Sequence, residues 1–344
     1  MMPVTTTLRS TPGSTPGRTR GTPGGPNPDA AAARSLVAGR LAGAGELGRT
    51  LADLIQDPGA LVGALHIGLA ALADPACLAG QRFVAPGIGP THGVRSPLLQ
   101  AIGRGFRVAT RRDSPASLLL VADRLLHERE REAHWFAFGI LERTLPREPE
   151  RTWQVIRRAA RDASDWITVD TLAHPVGKGI LAEPYRWAEL EQLVYAPSRW
   201  ERRLVGSTIA TIPFVDRTAG RGPAVAGRAL PILGLLIGDG EPDVQKALAW
   251  AYRSLTIVDL PATTAALEAE AERAGREGDG QRAWVIRDAL ARLTPAAAGR
   301  IRQSLDGIRR RAGAPSTSIA AETAARFTDI NPGLADKLPE PPLT

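Results

Sequence analysis

The sequence predicts an all-α protein, an α-α superhelix (solenoid) of degenerate helical hairpins of the HEAT or armadillo kind. Three observations carry that prediction. Hydrophobic residues make up 43% of the 344 and aromatics only 5%, so a sizeable core must be built mostly from Ala, Leu and other residues that lose little side-chain freedom in a helix. Apolar residues recur at helical spacing, as in Leu118, Val121, Ala122, Leu125 and Leu126, and again in Val244, Leu248, Ala251 and Leu255. No segment alternates apolar and polar residues between hairpin dipeptides, which is what a sheet would require.

Along the chain, residues 1–29 are rich in Thr, Pro, Gly and Ser and carry Arg9, Arg18 and Arg20 without an acid. Such a segment buries too little apolar surface to offset chain entropy, and it is expected to be a disordered tail. Residues 30–311 read as helix after helix, each stopped by Pro or Gly. The paired helices repeat roughly every 35 to 45 residues without a strict period. The stretch 216–228, with Gly220, Gly222, Pro223 and Gly227, reads as an extended inter-helix loop. From 312 to 344 the chain turns polar and Pro-rich and reads as a second loose tail.

The formal charge is +7, which favours polyanionic partners through phosphate neutralisation. A genome that prefers Arg to Lys gives the same balance, so charge alone leaves the partner open. Cys77 is the only cysteine, which excludes an internal disulfide, a zinc ribbon and an iron–sulfur cluster; it reads as a small buried hydrophobe. His66, His92, His127, His134 and His174 show no metal-binding spacing, and a deaminase or metallonuclease would need ligands the chain lacks, so neither metal nor cofactor is expected. There is no signal-peptide layout, and the longest apolar run, near 229–237, is too short to cross a bilayer. The expectation is a soluble cytoplasmic monomer, nucleoid-associated if bacterial, with no membrane partner.

Three Trp-bearing helices hold the chemistry. Trp166 and Asp170 are four residues apart and share a helix face, an aromatic plate beside a carboxylate. The same residues also suit a plain helix start, with Asp165 as N-cap, Trp166 in the core and Asp170 in solvent. Lys246, Trp250 and Arg253 form a stripe distinct from the core stripe of Val244, Leu248 and Ala251. It fits either a DNA-facing surface or a half-buried indole with snorkelling cations. Ser198 is a good N-cap for a helix whose core stripe is Leu204, Thr208, Ile209 and Ile212. There, Arg199 and Arg203 serve either as a phosphate clamp or as a solvated basic face.

Taken in order, Trp166-x-x-x-Asp170, Trp200-x-x-Arg203 and Lys246-Ala-x-x-Trp250-x-x-Arg253, preceded by Gly93-Val94-Arg95-Ser96-Pro97, resemble the AlkD-type DNA alkylation-repair glycosylases over about residues 80–311. The resemblance implies a HEAT-like superhelix whose basic concave face holds double-stranded DNA. It implies that Trp166, Asp170 and Trp250 form the catalytic cluster and that Arg203 contacts the DNA backbone near the lesion. The reaction implied is monofunctional excision of cationic N3- or N7-alkylated purines, with tolerance of bulky adducts as an extension. A noncatalytic helical scaffold that binds DNA or protein is the competing class.

Overall fold

The computed structural model describes residues 28–330. Sixteen α-helices and no strand are present among them. In chain order they are α1 (Pro28–Asp53), α2 (Pro58–Leu72), α3 (Pro75–Val84), α4 (Ser96–Ala109), α5 (Pro115–Leu126), α6 (Arg131–Thr144), α7 (Pro149–Asp162) and α8 (Trp166–Ala182). There follow α9 (Arg186–Gln192), α10 (Arg199–Val215), α11 (Pro223–Leu236), α12 (Pro242–Leu255), α13 (Leu260–Glu277), α14 (Gly280–Ala289), α15 (Pro295–Ser304) and α16 (Ile319–Ile330).

The helix starts are written in a short local code. Asp57-Pro58, Asp74-Pro75, Ser114-Pro115 and Thr294-Pro295 each place an oxygen-bearing cap before a proline, and each cap accepts a bond from a first-turn N–H. Proline lacks the N–H that the first turn would leave orphaned, and the cap satisfies one of the others, so the pair starts a helix sharply. Asp165 and Ser198 cap α8 and α10 as expected, accepting from Thr168 N and Trp200 N.

Helices α1, α4, α6, α8, α10, α12 and α14 pack successively side by side in one row, while α2, α5 and α7, and later α11, α13 and α15, line a second. This is an α-helical solenoid, with the core between the rows. Leu118, Val121, Ala122, Leu125, Val244, Leu248, Ala251 and Leu255 are all buried there, as their periodicity predicts, while Leu126 of the same stripe is only half-buried at its edge. Burying each Leu- or Val-sized side chain contributes about 1.5 to 3 kcal/mol. Polar bonds stitch one repeat to the next: Lys178 to Glu142, Trp153 Nε1 to Glu189, Arg202 to Asp239 and Gln245 to Gln281, all spaced 36 or 37 residues apart.

The Gly-Val-Arg-Ser-Pro segment is one such junction. Glu132 of α6 is 1% exposed and accepts from the Thr91 hydroxyl and from the backbone N–H groups of His92, Gly93 and Val94. Arg95 pairs with Asp74 at 2.5 Å. Gly93 has φ +77°, and an added Cβ would lie 2.8 Å from the Leu78 nitrogen, so only glycine fits without strain.

Three expectations are corrected. The loop over 216–228 ends early, because Pro223 starts α11 and only residues 216–222 connect it to α10. The segment from 312 is not a loose tail up to residue 330. Thr317 donates from its backbone to Gly238 and from its hydroxyl to Asp279, and α16 packs on α11, because the small side chain of Ala320 fits into the core. Cys77 is half-exposed rather than buried. The tail expected over 1–29 lies outside the described residues, apart from its last two, which begin α1.

Candidate functional site

Three neighbouring helices of the first row, α8, α10 and α12, assemble the candidate site. Asp170 sits on α8, one turn after Trp166, with its side chain 20% exposed. Arg203 of α10 faces it in a two-pronged pair, donating from Nε to Oδ1 at 3.0 Å and from Nη2 to Oδ2 at 2.8 Å. Ser207, one turn further along α10, donates to Oδ1 at 2.6 Å. The remaining Arg203 nitrogen, Nη1, donates to the Asp243 carbonyl at the start of α12, at 2.6 Å. The Arg203 guanidinium also lies 5.7 Å from the Trp166 ring centroid, the outer limit of a cation–π contact.

An ionised carboxylate offers about four acceptor positions. Arg203 and Ser207 fill three, which leaves one for a water or a bound group, on a side chain that still reaches solvent. Its orientation is fixed before anything binds.

Trp250 is half-buried on α12, seven residues and hence two turns beyond Asp243. Helix α12 reaches this position because Gly206 lets α10 approach it closely: a Cβ there would lie 2.8 Å from the Ala247 carbonyl carbon. The indole makes no hydrogen bond or ring contact among the described residues. Two turns of helix are about 10 Å of rise, so Trp250 lies about that far along α12 from the carbonyl that Arg203 holds.

The predicted cations divide. Arg203 is 5% exposed and turns three of its five N–H donors to Asp170 and Asp243, so here it holds the carboxylate. Arg253 bonds the Asp288 carboxylate and carbonyl, both at 2.8 Å. Arg199 is exposed, stacked 4.7 Å from the Trp200 ring and 3.6 Å from Glu241. Lys246 is exposed and has no polar partner among the described residues.

Sequence reasoning missed two features. Ser207 lies four residues after Arg203, on the same helix face, which is the signal that could have found it. The other is a cleft of about 1010 Å³ beside the site, floored by Trp135, Phe136 and Gly139 of α6 and walled by α3 and α4, with Trp166, Ile167 and Thr171 of α8 at its end. Gln100, Gly103 and Arg107 line it from α4, a polar and small-residue stripe at helical spacing that a search for apolar stripes passes over. His174, one turn beyond Asp170, is pushed below its ordinary value chiefly by burial, with Glu142 and Asp170 opposing; it is therefore neutral near pH 7.

Fold and site together define a helical-repeat protein with a carboxylate held by an arginine and a serine of the neighbouring helix. The family model described as "DNA alkylation repair enzyme" matches residues 67–293, and the chain belongs to that family. DNA is thus its substrate and repair of alkylation damage its role. No curated protein matches the chain closely enough to serve as a relative.

Proposed function

We propose that the protein is a monofunctional DNA glycosylase that releases cationic N3- or N7-alkylated purines from duplex DNA. The observation that carries this reading is Asp170, held on three acceptor positions with the fourth left open beside Trp166. An alkylated purine already carries positive charge and leaves without a general acid. The C1′–N bond breaks with its electron pair going to the base, a water oxygen bonds to C1′, and the water's proton passes to Asp170 or to solvent. Asp170 orients that water and offsets the positive charge that develops on the sugar. The faces of Trp166 and Trp250 attract the cationic nucleotide, at about 0.5 to 2 kcal/mol each. Lys246 and Arg199, both exposed, serve as phosphate ligands, and Arg253 joins them by exchanging Asp288 for phosphate.

The same Arg203 pair also favours a second reading, a scaffold that binds DNA without chemistry, because an arginine clamp on a carboxylate is a common way to join two helices. Product analysis separates the two. Duplex DNA carrying 3-methyladenine or 7-methylguanine is incubated with excess protein, and free base is measured. The glycosylase releases base, and Asp170→Asn loses release while still binding DNA. A wild-type protein that binds the duplex and releases nothing is a scaffold.

A further inference from the structure

The histidines show no metal-binding spacing along the chain, but the fold brings together residues that are 62 positions apart. His66 of α2 points at the turn between α5 and α6, where its Nε2 lies 3.0 Å from Glu128 Oε2 and 3.7 Å from Glu130 Oε2. The three ligand atoms lie within 4.8 Å of one another, on side chains that are all half-buried. Tetrahedral ligands that sit about 2.0 to 2.2 Å from a zinc-like ion are about 3.3 to 3.6 Å apart, so the two His66 contacts need to change by only a few tenths of an ångström, and the two carboxylate oxygens by no more than about 1.5 Å, to share one.

A second observation points the same way. The His92 ring lies 5.8 Å from the His66 ring, centroid to centroid, and its Nε2 is buried with no hydrogen-bond partner among the described residues. A buried ring nitrogen without a partner is costly unless something fills it. Rotation of that ring toward His66 supplies a fourth ligand. Electrostatics agree: Arg124 is the only Arg or Lys that pairs with either carboxylate among the described residues, so two carboxylates face one guanidinium. Burial works to raise the Glu128 carboxyl, but hydrogen bonds from His66 and Arg124 outweigh it and hold Glu128 below its usual value. Glu130 begins α6 without capping it through its side chain, so its carboxylate is free to ligate.

We propose that His66, Glu128 and Glu130, with His92 as fourth ligand, form a binding site for a divalent transition metal of the zinc class. The site is structural. It ties α2 to the start of α6, and it stands apart from Asp170 on α8, whose chemistry needs no metal. A mixed nitrogen and oxygen donor set suits zinc or cobalt better than calcium or magnesium.

The test uses the full chain, freed of affinity tags and chelator, titrated with zinc chloride by calorimetry and with cobalt by visible absorption. The expected result is one equivalent bound, a tetrahedral cobalt band, and a rise of at least about 3 °C in Tm at saturating zinc. His66→Gln and Glu130→Gln should each weaken binding at least about tenfold, and Glu130→Gln serves even if the histidine variant folds poorly. His92→Gln should weaken it by a similar factor; unchanged affinity there overturns the fourth ligand. Absence of stoichiometric binding in the wild type, or binding undiminished in both other variants, overturns the site.

Discussion

Replacing Asp170 with Asn tests whether the carboxylate works as a structural clamp, a reaction centre or both. Arg203 is 5% exposed and has two nitrogens on Asp170 and one on the Asp243 carbonyl. Asn keeps the shape but turns one acceptor into an amide that faces a guanidinium unable to accept. Removing one partner of a buried pair costs about 3 to 5 kcal/mol; the 20% exposure of Asp170 admits water and places this case near about 3 kcal/mol. Arg203→Met removes the cation instead and leaves Asp170 with Ser207 and solvent, at a cost of about 1 to 2 kcal/mol. The double variant buries neither charge, so the two losses should overlap by about 2 to 3 kcal/mol of coupling. Guanidinium unfolding of the four proteins at pH 7, followed by far-UV circular dichroism, measures that coupling. Single-turnover base release, measured alongside, should fall by about 10² to 10⁴ in Asp170→Asn and stay low in the double variant although stability returns. Coupling below about 0.5 kcal/mol refutes the pair as drawn. Recovery of base release in the double variant refutes a chemical role for Asp170.

Trp166→Ala and Trp250→Ala should each slow release of cationic bases by about 2- to 30-fold, from about 0.5 to 2 kcal/mol per ring face, with Phe at either position restoring part of the rate; equal rates for Ala and wild type would remove that indole from the site. Burial raises the Asp74 carboxyl, but bonds from Arg95 and the α3 backbone outweigh it, so its folded value lies below the ordinary one near 3.8. The stability that Asp74 supplies is therefore complete above about pH 4 to 5 and drains away as pH falls through the lower folded value. The advantage of wild type over Asp74→Asn, which keeps the helix cap, should be flat from about pH 5 to 8 and shrink toward about pH 2; the same advantage at pH 3 and pH 7 would contradict the pairing. Gly206→Ala should cost about 1 to 3 kcal/mol and slow base release by displacing α12. Gly93→Ala, at the α3–α4 junction, should lower Tm without changing the rate at a temperature where both proteins are folded. Thermal melts and single-turnover rates on the two variants check this contrast.

The helices and their starts were legible because their causes are local. An Asp-Pro or Ser-Pro step fixes a helix start whatever lies around it, and the stripe of Val244, Leu248 and Ala251 needs only a periodicity to be seen. The site was legible only as residue types. Trp166 and Asp170 share one face of α8, but whether Asp170 meets solvent or a partner is decided by α10, 33 residues later, so spacing alone could not distinguish the readings. The Arg203–Asp170 pair was hidden for that reason: arginine on an amphipathic helix looks the same in sequence whether it meets phosphate or a carboxylate. The segment after 312 looked loose because its polar residues find their partners near Gly238 and Asp279, far back in the chain. The His66 cluster was hidden in the same way, by a 62-residue separation.

A cation fixed on Asp170 bears on where the proposed enzyme finds its selectivity. At an effective dielectric constant near 20, two unit charges 4 Å apart interact by about 4 kcal/mol, so Arg203 offsets much of the pull that Asp170 alone would exert on a distant cationic base. Binding a lesion in its ground state then gains little from the carboxylate. As the glycosidic bond lengthens, positive charge moves from the base onto the sugar, toward the one open acceptor position of Asp170, and at contact range the carboxylate outweighs the more distant guanidinium. Because Arg203 and Ser207 already hold the carboxylate in place, no reorganisation is needed at that moment. The interaction is thus stronger in the transition state than in the bound state, which raises the rate of the chemical step instead of affinity. Asp170→Asn should therefore change the ratio of Kd values for undamaged and damaged duplexes by less than about threefold, because the indoles and not the carboxylate supply selectivity in binding, and should act chiefly on the single-turnover rate. A loss of lesion-selective binding in Asp170→Asn would mean that Arg203 does not offset Asp170 as its geometry implies.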